Sequence, residues 1–227
     1  MNFYEDTNPV QTLDNSNILS ATFFRMFLGL LASSLTAIYA YYSGAYIPMI
    51  LNGTYIALAI AEIVVVLVFS LLFKKLSTTV VTVLFFAYAF LNGFTLSVIF
   101  AVYEIGSIAT CFIATAGLFG ILAYLGYKTD KDISNWRTIL TVCLIVGVIL
   151  SIINLFMHSS MLSIILDWGI LFVFFGLTVY DMNKIKQMRD MGICQDDKLY
   201  VYGAMELYLD FINIFLRILS LFGKRKN

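Results

Sequence analysis

Long apolar segments alternate with short polar connections along almost the whole chain. Seven such segments span residues 21–42, 50–73, 79–103, 108–127, 138–157, 161–182 and 203–222. A helix needs roughly 20 apolar residues to cross the hydrocarbon core of a bilayer, and each segment reaches about that length. The pattern therefore predicts seven transmembrane helices joined by short loops.

The segments are too long and too uniform for the strands of a membrane barrel, which alternate apolar and polar residues over about ten positions. Backbone groups in lipid are satisfied only in helices or closed barrels, so the predicted class is an all-α polytopic membrane protein. We expect one seven-helix domain over residues 21–223, a polar tail over 1–20 and a basic tail over 224–227. Small residues four apart, such as Gly29 with Ser33 and Ala116 with Gly120, favour close helix packing.

Composition supports a lipid bilayer as the environment of the chain. Of the 227 residues, 61% are hydrophobic and 12% are charged, whereas soluble domains contain roughly half apolar and a quarter charged residues. The 14 basic and 14 acidic residues cancel, so no basic field favours nucleic-acid binding. The first 20 residues are polar and acidic, without the basic start of a secretory signal peptide.

The distribution of basic residues predicts the orientation of the chain. The connections after the second, fourth and sixth segments carry nine lysines and arginines, and those after the first, third and fifth carry none. This places the N-terminus in the cytoplasm and, after seven spans, the C-terminus outside. The basic tail Lys224-Arg225-Lys226 opposes this orientation, and a re-entrant or incompletely spanning last segment would remove the conflict.

Four acidic residues within or at the end of apolar segments stand out as candidates. Glu62 is near the middle of the second segment, Asp181 closes the sixth, and Glu206 and Asp210 lie one turn apart in the last. A charge at the centre of a membrane helix costs about 2.5 to 3.5 kcal/mol on insertion scales, so each residue is a candidate functional site. The alternative for Asp181 is an interfacial acid neutralised by nearby lysines, and for Asp210 a structural acid bonded to a neighbouring helix.

The predicted topology brings two of these acids to a similar depth, because the sixth helix ends and the seventh begins on the cytoplasmic side. Asp181 and Asp210 can therefore meet. Two carboxylates held close in a weakly hydrated place cannot both ionise cheaply, and such a pair shares a proton. When deprotonated, the same oxygens can hold Ca²⁺ weakly, since Ca²⁺ prefers six to eight oxygen ligands. We expect Asp181 and Asp210 to form a pH sensor and a weak Ca²⁺ site, and weak binding suits conduction.

Two more polar residues, Asn213 and Arg217, continue the stripe of Glu206 and Asp210 along the last helix. We expect this polar seam to face the interior of the bundle, because it is unfavourable against lipid. Glu62 needs a cationic, polar or hydrated partner when buried, and Arg217 is a candidate. Glu206 is expected to attract cations near the cytoplasmic mouth of an ion path.

Two motifs carry a family resemblance. One is VYDMNKIK, residues 179–186, and the other is ELYLDFINIFLRILSLFG, residues 206–223. The first is similar to the Tyr-Asp motif at the end of the sixth helix, and the second to the Leu-Tyr-Leu-Asp-Phe-Ile-Asn signature in the last helix, of the Bax inhibitor-1 family. This family is also called the transmembrane Bax inhibitor motif family, and the sequence resembles its bacterial members in particular, with agreement in length and segment count over the whole chain.

The resemblance implies a seven-helix fold whose last helix is central and wrapped by the other six. It also implies a pH-sensitive calcium leak, in which Asp181 and Asp210 form the sensor and Glu62 lines the ion path. Bacterial relatives carry an arginine near the cytoplasmic end of the second helix that latches onto the sixth-helix aspartate. Here the nearest basic residues are Lys74 and Lys75, and lysine lacks the bidentate carboxylate contact of arginine.

Our hypothesis is a calcium-permeable leak channel gated by protonation of Asp181 and Asp210, with Glu62, Glu206 and Asp210 along the ion path. Ca²⁺ is then the permeating ion, protons are the regulator, and no cofactor is required. We expect a monomer in the inner membrane of a bacterial cell.

Three other functions are alternatives to a channel. An enzyme is disfavoured, because the one histidine, His158, lies far from the acids and no HExxH, GxSxG or P-loop pattern occurs. A regulatory protein that acts through membrane proteases or partners in stress and cell-death control would conduct no ions. A proton-coupled transporter would differ from a channel by saturable exchange of its substrate.

Overall fold

A computed structural model describes residues 15–131, 133–193 and 196–226 of the protein. Within these residues the chain forms eight helices: α1 (Asn15–Tyr42), α2 (Tyr46–Leu51), α3 (Thr54–Leu72), α4 (Thr78–Val102), α5 (Ile105–Lys128), α6 (Ser134–Met157), α7 (Ser160–Asp190) and α8 (Asp196–Phe222). Six of them, all except α2 and α8, are long and apolar enough to cross a membrane. The all-helical membrane class is therefore confirmed, whereas the count of seven spans stays a prediction.

Most helix boundaries lie close to the predicted ones, with differences that have local causes. The segment predicted over 50–73 is divided into α2 and α3 at Gly53, whose φ of 70° only glycine adopts readily. Ser77 caps α4 by accepting a hydrogen bond from the backbone N–H of Val80 at 3.4 Å. Ser159 caps α7 in the same way, by accepting one from the backbone N–H of Leu162 at 3.3 Å. Residues 1–14, most of the predicted polar tail, lie outside the described residues, and α1 begins at Asn15 instead of residue 21.

The start of α8 lies at one end of the bundle, which we call the basic end. There Arg25 of α1 donates to Asp197 of α8 at 2.8 Å, and Lys198 of α8 donates to the carbonyl oxygen of Lys74 at 3.1 Å. The connections α3–α4, α5–α6 and α7–α8 all lie at this end, because consecutive long helices run in opposite directions. Of the nine basic residues on which the predicted orientation rests, Lys74, Lys75 and Lys131 lie in these connections, and the other six lie in the adjoining ends of α5, α6, α7 and α8.

The end of α8 lies at the opposite side, which we call the tail end. Lys224 Nζ lies 2.8 Å from Glu104 Oε1 in the α4–α5 connection, and Lys226 Nζ donates to the Tyr41 hydroxyl at 3.1 Å. Tyr103 and Arg225 form an isolated antiparallel bridge. The helix α8 therefore extends through the bundle from the basic end to the tail end.

The core of the bundle is built around α8. This helix packs against α1, α4, α5 and α7, and its side chains from Leu199 to Leu219 are mostly buried. By contrast, α3 and α6 lie at the periphery. Among the described residues, α3 has one buried residue, Phe69, and α6 has one, Gly147. The implied arrangement of six helices around α8 stays a prediction, because α6 packs against α7.

Close helix approach depends on small residues at two crossings. A Cβ at Gly93 of α4 would lie 2.6 Å from the carbonyl oxygen of Ser33 in α1, and a Cβ at Gly126 of α5 would overlap the carbonyl oxygen of Val179 in α7. The predicted Gly29–Ser33 pair does pack against α4. The predicted pair Ala116–Gly120 does not pack, because both residues are exposed on the outer face of α5.

Candidate functional site

Three carboxylates and one lysine meet where α7 packs against α8. Asp181 and Asp210 are 6% and 3% exposed, and the charge of Asp181 acts on Asp210. Lys184 Nζ lies 3.8 Å from Asp181 Oδ1 and 3.6 Å from Glu206 Oε1. The spacing explains this meeting, since residues three or four apart share one face of a helix. We call Asp181, Glu206 and Asp210 the acid cluster.

The surroundings of the acid cluster are polar on the side of the basic end. Lys184 donates to the hydroxyl of Tyr202 and lies 5.0 Å from the centre of its ring. Arg137 of α6 also acts electrostatically on Asp181. On the other side, Thr178 lies beside Asp210 and donates to the carbonyl oxygen of Phe174 at 2.8 Å. Lys184 is therefore the cation nearest to the cluster among the described residues.

Asp210 is the most deeply placed member of the cluster. It lies roughly 21 Å along the helix axis from the first residue of α8, at 1.5 Å per residue. This distance is greater than the predicted segment implies, because α8 begins seven residues before that segment. Its Oδ2 atom is buried and has no hydrogen-bond partner among the described residues. A carboxyl group in such a place can release a proton only at a considerable cost, since its charge lacks full compensation.

Glu62 lies in a separate site, on the wall of a cavity of about 520 Å³ between α3, α4 and α8. Its carboxylate accepts hydrogen bonds from Asn92 at 3.3 Å and from the hydroxyl of Thr95. The lining extends from Glu62, in the middle of α3, to Tyr103 at the tail end. These contacts supply the polar partner that a buried acid needs. We call this space the Glu62 cavity.

The acid cluster and the Glu62 cavity lie on different faces of α8. Ile212, Leu216 and Leu219 line the cavity, whereas Asp210 faces α7. Two positions, as between Asp210 and Ile212, correspond to about 200° around an α-helix. The structure therefore brings Asp181, Glu206 and Asp210 together but does not bring Glu62 to them.

The predicted polar seam of α8 is divided in the same way. Asn213 lines the Glu62 cavity and donates to the carbonyl oxygen of Leu209 in its own helix at 2.8 Å. The sequence suggested Arg217 as a partner of Glu62. In the structure, Arg217 Nη1 lies instead 2.7 Å from Asp167 Oδ1 of α7. The reason is that α7 lies alongside the Arg217 face of α8 and supplies a carboxylate of its own.

Asp167 is a buried charged residue that the sequence analysis overlooked. It also accepts a hydrogen bond from Ser220 at 2.6 Å, so each of its oxygens has a partner in α8. The signal was present in the sequence, because Asp167 interrupts the apolar run SIILDWGILF in the same way that Glu62 interrupts the second segment. Applying one criterion to every segment would have identified it.

The predicted latch lysines are not placed at the acid cluster. Lys74 and Lys75 are exposed, and no ion pair between either of them and Asp181 occurs in the described part of the chain. At this end of α3, Phe73 packs against Tyr202 of α8 with ring centres 4.4 Å apart. An apolar aromatic contact thus joins α3 to α8, and the cation beside Asp181 comes from α7 itself.

The side chains of the acid cluster offer oxygen atoms but not a complete metal centre. Within the described residues, no three His, Cys, Asp or Glu side chains are arranged closely enough to hold a metal ion. The cluster can exchange a proton between neighbouring carboxyl groups, and it can attract a cation that retains much of its own water. These two properties are the chemistry that the site offers.

Comparison with known proteins places the chain in a family. The family model described as "Inhibitor of apoptosis-promoting Bax1" matches residues 15–227. The inner membrane protein YbhL of Escherichia coli strain K12 is 40% identical over 207 residues, which cover 88% of each chain. A protein of Borreliella burgdorferi is 34% identical over 225 residues and 96% of each chain, and a membrane protein of Streptococcus pyogenes serotype M3 is 36% identical over 178 residues, covering 78% of this chain and 76% of its own. Because the family model covers both motifs and these relatives cover most of the chain, the protein belongs to the Bax inhibitor-1 family of membrane proteins.

Proposed function

We propose that this protein is a pH-sensitive calcium leak channel, gated by protonation of the pair Asp181 and Asp210. The observation that carries the proposal is the burial of both carboxyl groups side by side, with an Asp210 oxygen that has no partner among the described residues. Two neighbouring carboxylates in a dry place are unfavourable when both are charged. The pair can therefore respond to pH by gaining or losing one proton.

The charges that face this pair determine how strongly it responds. Glu206 adds a third negative charge, Lys184 of α7 adds a positive charge near both acids, and Arg137 of α6 adds one that acts on Asp181. The pair joins α7 to α8. A change in its charge therefore alters the attraction between these two helices, and we propose that α8 moves in response.

The proposed ion path uses both faces of α8. The Glu62 cavity forms the part that begins at the tail end, and Glu206 attracts cations at the basic end. Between them α8 is tightly packed, so conduction requires a displacement of α8 relative to α4 and α7. A weak, partly hydrated Ca²⁺ site suits such a path, because an ion that binds too tightly does not leave.

We further propose that α8 is a seventh span and that the basic end faces the cytoplasm of a bacterial cell. The 27 residues of α8 correspond to roughly 40 Å, which is enough to cross a bilayer. The positive charges of the tail are compatible with the outer side, because Lys224 pairs with Glu104 and Lys226 lies over the ring of Tyr41. The relative YbhL is an inner membrane protein, which supports the same membrane for this chain.

The test is Ca²⁺ flux into dye-loaded liposomes that contain the purified protein, measured from pH 5 to 8. We compare the wild type with Asp210→Asn, whose amide is a neutral isostere of the protonated acid. The flux of Asp210→Asn is expected to be independent of pH and equal to the flux that the wild type reaches at the acid end. The matched control is Asp197→Asn on the same helix, where the replaced acid is at the surface, and it should keep the wild-type profile.

Two results would argue against this function. If Asp210→Asn keeps the pH profile of the wild type, the pair is not the sensor. If the wild-type protein gives no flux above that of empty liposomes at any pH, the protein is not a leak channel. The regulatory function through membrane partners would then be the better hypothesis.

A further inference from the structure

A chain of hydrogen bonds crosses the middle of the bundle and ends on Glu62. Ser33 Oγ of α1 lies 2.6 Å from the hydroxyl of Tyr208 in α8. Tyr208 donates to Asn92 Oδ1 of α4 at 2.9 Å, and Asn92 donates to Glu62 Oε2 of α3 at 3.3 Å. Four helices are thus joined by three consecutive contacts between side chains.

The directions of these bonds are set by the groups that form them. An amide nitrogen can only donate, so the contact between Asn92 and Glu62 points towards the carboxylate. Tyr208 has one hydroxyl proton, and its donation to the Asn92 carbonyl oxygen continues the chain in the same direction. Ser33 Oγ lies 2.6 Å from the Tyr208 hydroxyl and donates to the Ala89 carbonyl oxygen at 2.7 Å. From Tyr208 onward each donor points towards Glu62, and the carboxylate is the final acceptor.

The hydrogen-bonded residues that lie furthest from the cavity are deeply buried. Tyr208 and Ser33 are 0% and 1% exposed, while Asn92 and Glu62 line the cavity. On α8, Tyr208 lies one turn closer to the basic end than Ile212, which is a lining residue. The Tyr208 hydroxyl therefore lies behind the wall of the cavity, between that space and the basic end.

Aromatic rings hold Tyr208 in this position. Its ring makes edge contacts with Phe85 and Tyr88 of α4, with ring centres 5.9 and 5.8 Å apart. A fixed ring leaves the hydroxyl little freedom to find other partners. The contact with Asn92 is therefore sensitive to the position of α8, which also carries Asp210 on its opposite face.

We propose that Tyr208 is the barrier residue of the ion path: its hydroxyl ties Asn92 and Glu62 to α8 and keeps the Glu62 cavity closed towards the basic end. The inference rests on the proposed leak function and adds a residue to it. Tyr208 acts through Asn92 and is therefore a positioning residue. A displacement of α8 that separates Tyr208 from Asn92 frees the hydrogen-bonded pair Asn92 and Glu62 from α8 and connects the cavity with the basic end.

The first readout is Ca²⁺ flux through liposomes that contain Tyr208→Phe. The substitution removes the hydroxyl and keeps the ring, so it weakens the closed arrangement without leaving a large void. Hydrogen bonds between membrane helices have modest strength, and the loss of one corresponds to an increase in flux of roughly three- to twentyfold. The matched control is Tyr124→Phe, which removes a hydroxyl from the exposed face of α5, away from the Glu62 cavity, and leaves the chain from Ser33 to Glu62 intact.

The second readout does not depend on conduction. A cysteine replaces Ala59, which lines the cavity on α3, in a variant whose three native cysteines are replaced by serine. A membrane-impermeant thiol reagent is added to vesicles of either orientation. With Tyr208 intact, the reagent should reach position 59 from the tail end, and Tyr208→Phe should raise the rate of reaction from the basic end by a similar factor to the flux.

The combined outcomes separate the barrier from the channel. An increase in flux and in reaction from the basic end with Tyr208→Phe, and in neither with Tyr124→Phe, supports the proposal. If Tyr208→Phe behaves as Tyr124→Phe in both readouts, Tyr208 is not the barrier. If no variant conducts but Tyr208→Phe still opens position 59 to the basic end, the leak function fails and the barrier stands. Should Tyr208→Phe not fold, Asn92→Leu removes the acceptor of the Tyr208 hydroxyl, and the same outcomes decide.

Discussion

The ion pair between Asp167 and Arg217 is expected to contribute measurably to the stability of the bundle. Asp167→Leu removes the acceptor of two hydrogen bonds from α8, those of Arg217 at 2.7 Å and Ser220 at 2.6 Å. It also leaves the guanidinium of Arg217 without its partner. The leucine side chain has a similar size and fills the contact, so the change in stability reports the lost polar interactions.

The size of the effect lies between two limits. Two hydrogen bonds between membrane helices at the measured average give about 1.2 kcal/mol, and removal of one member of a fully buried ion pair costs about 3 to 5 kcal/mol. The side chain of Arg217 is 32% exposed, so water compensates part of the loss. We expect the free energy of unfolding to fall by about 2 kcal/mol, which corresponds to a Tm lower by about 4 to 8 °C for a chain of this size.

Thermal unfolding of the purified protein in detergent measures this change. The control is Glu104→Gln, which removes an ion pair whose two side chains are 74% and 43% exposed and should change the Tm little. The double variant Asp167→Leu with Arg217→Leu should be more stable than Asp167→Leu alone, because no uncompensated charge remains. If Asp167→Leu and Glu104→Gln have the same small effect, the pair does not stabilise the contact between α7 and α8.

Two further predictions concern packing and a surface charge. Gly126→Ala should lower the Tm, by an amount that corresponds to about 1 to 3 kcal/mol, because the new methyl group would overlap the Val179 carbonyl oxygen. The control Gly120→Ala should leave the Tm unchanged, because a Cβ there meets open space. Equal Tm values for the two variants would refute the close approach of α5 and α7. Lys186 holds the pKa of the exposed Asp130 carboxyl below its usual range through a hydrogen bond and its charge, so this pair stabilises the fold above the ordinary pKa of aspartate and loses its effect as the pH falls through the lowered pKa. The small difference in Tm between the wild type and Asp130→Asn should therefore disappear in acid, and a difference that grows in acid would contradict the sign.

The sequence was sufficient to predict the all-helical membrane class, the approximate positions of the long helices and the proximity of Asp181 to Asp210. Hydrophobic length determines where a membrane helix can form, and the alternation of direction along the chain determines which helix ends share a side of the membrane. Glu206 and Asp210 were placed on one face by their spacing, and Lys184 follows Asp181 by one turn of α7. These features depend on local periodicity, which is visible in a single sequence.

The rotation of each helix about its own axis was not predictable in the same way. The stripe that contains Glu206, Asp210, Asn213 and Arg217 was treated as one seam, but neighbouring helices divide it between the Glu62 cavity and α7. The partner of Arg217 depends on which helix lies alongside, and this is decided by packing over the whole bundle. For the same reason, small residues indicated close approach correctly at Gly29 and wrongly at Gly120.

The burial of α8 has a consequence for the order in which the protein is assembled in the cell. The six helices that are apolar enough to enter lipid alone are all synthesised before α8. The α8 segment, with Glu206, Asp210 and Arg217, is poorly suited to leave the insertion machinery as an isolated span. As the proposed seventh span, α8 is expected to enter the bilayer only after the earlier helices have assembled, so that biogenesis of this protein would end with the insertion of its own core.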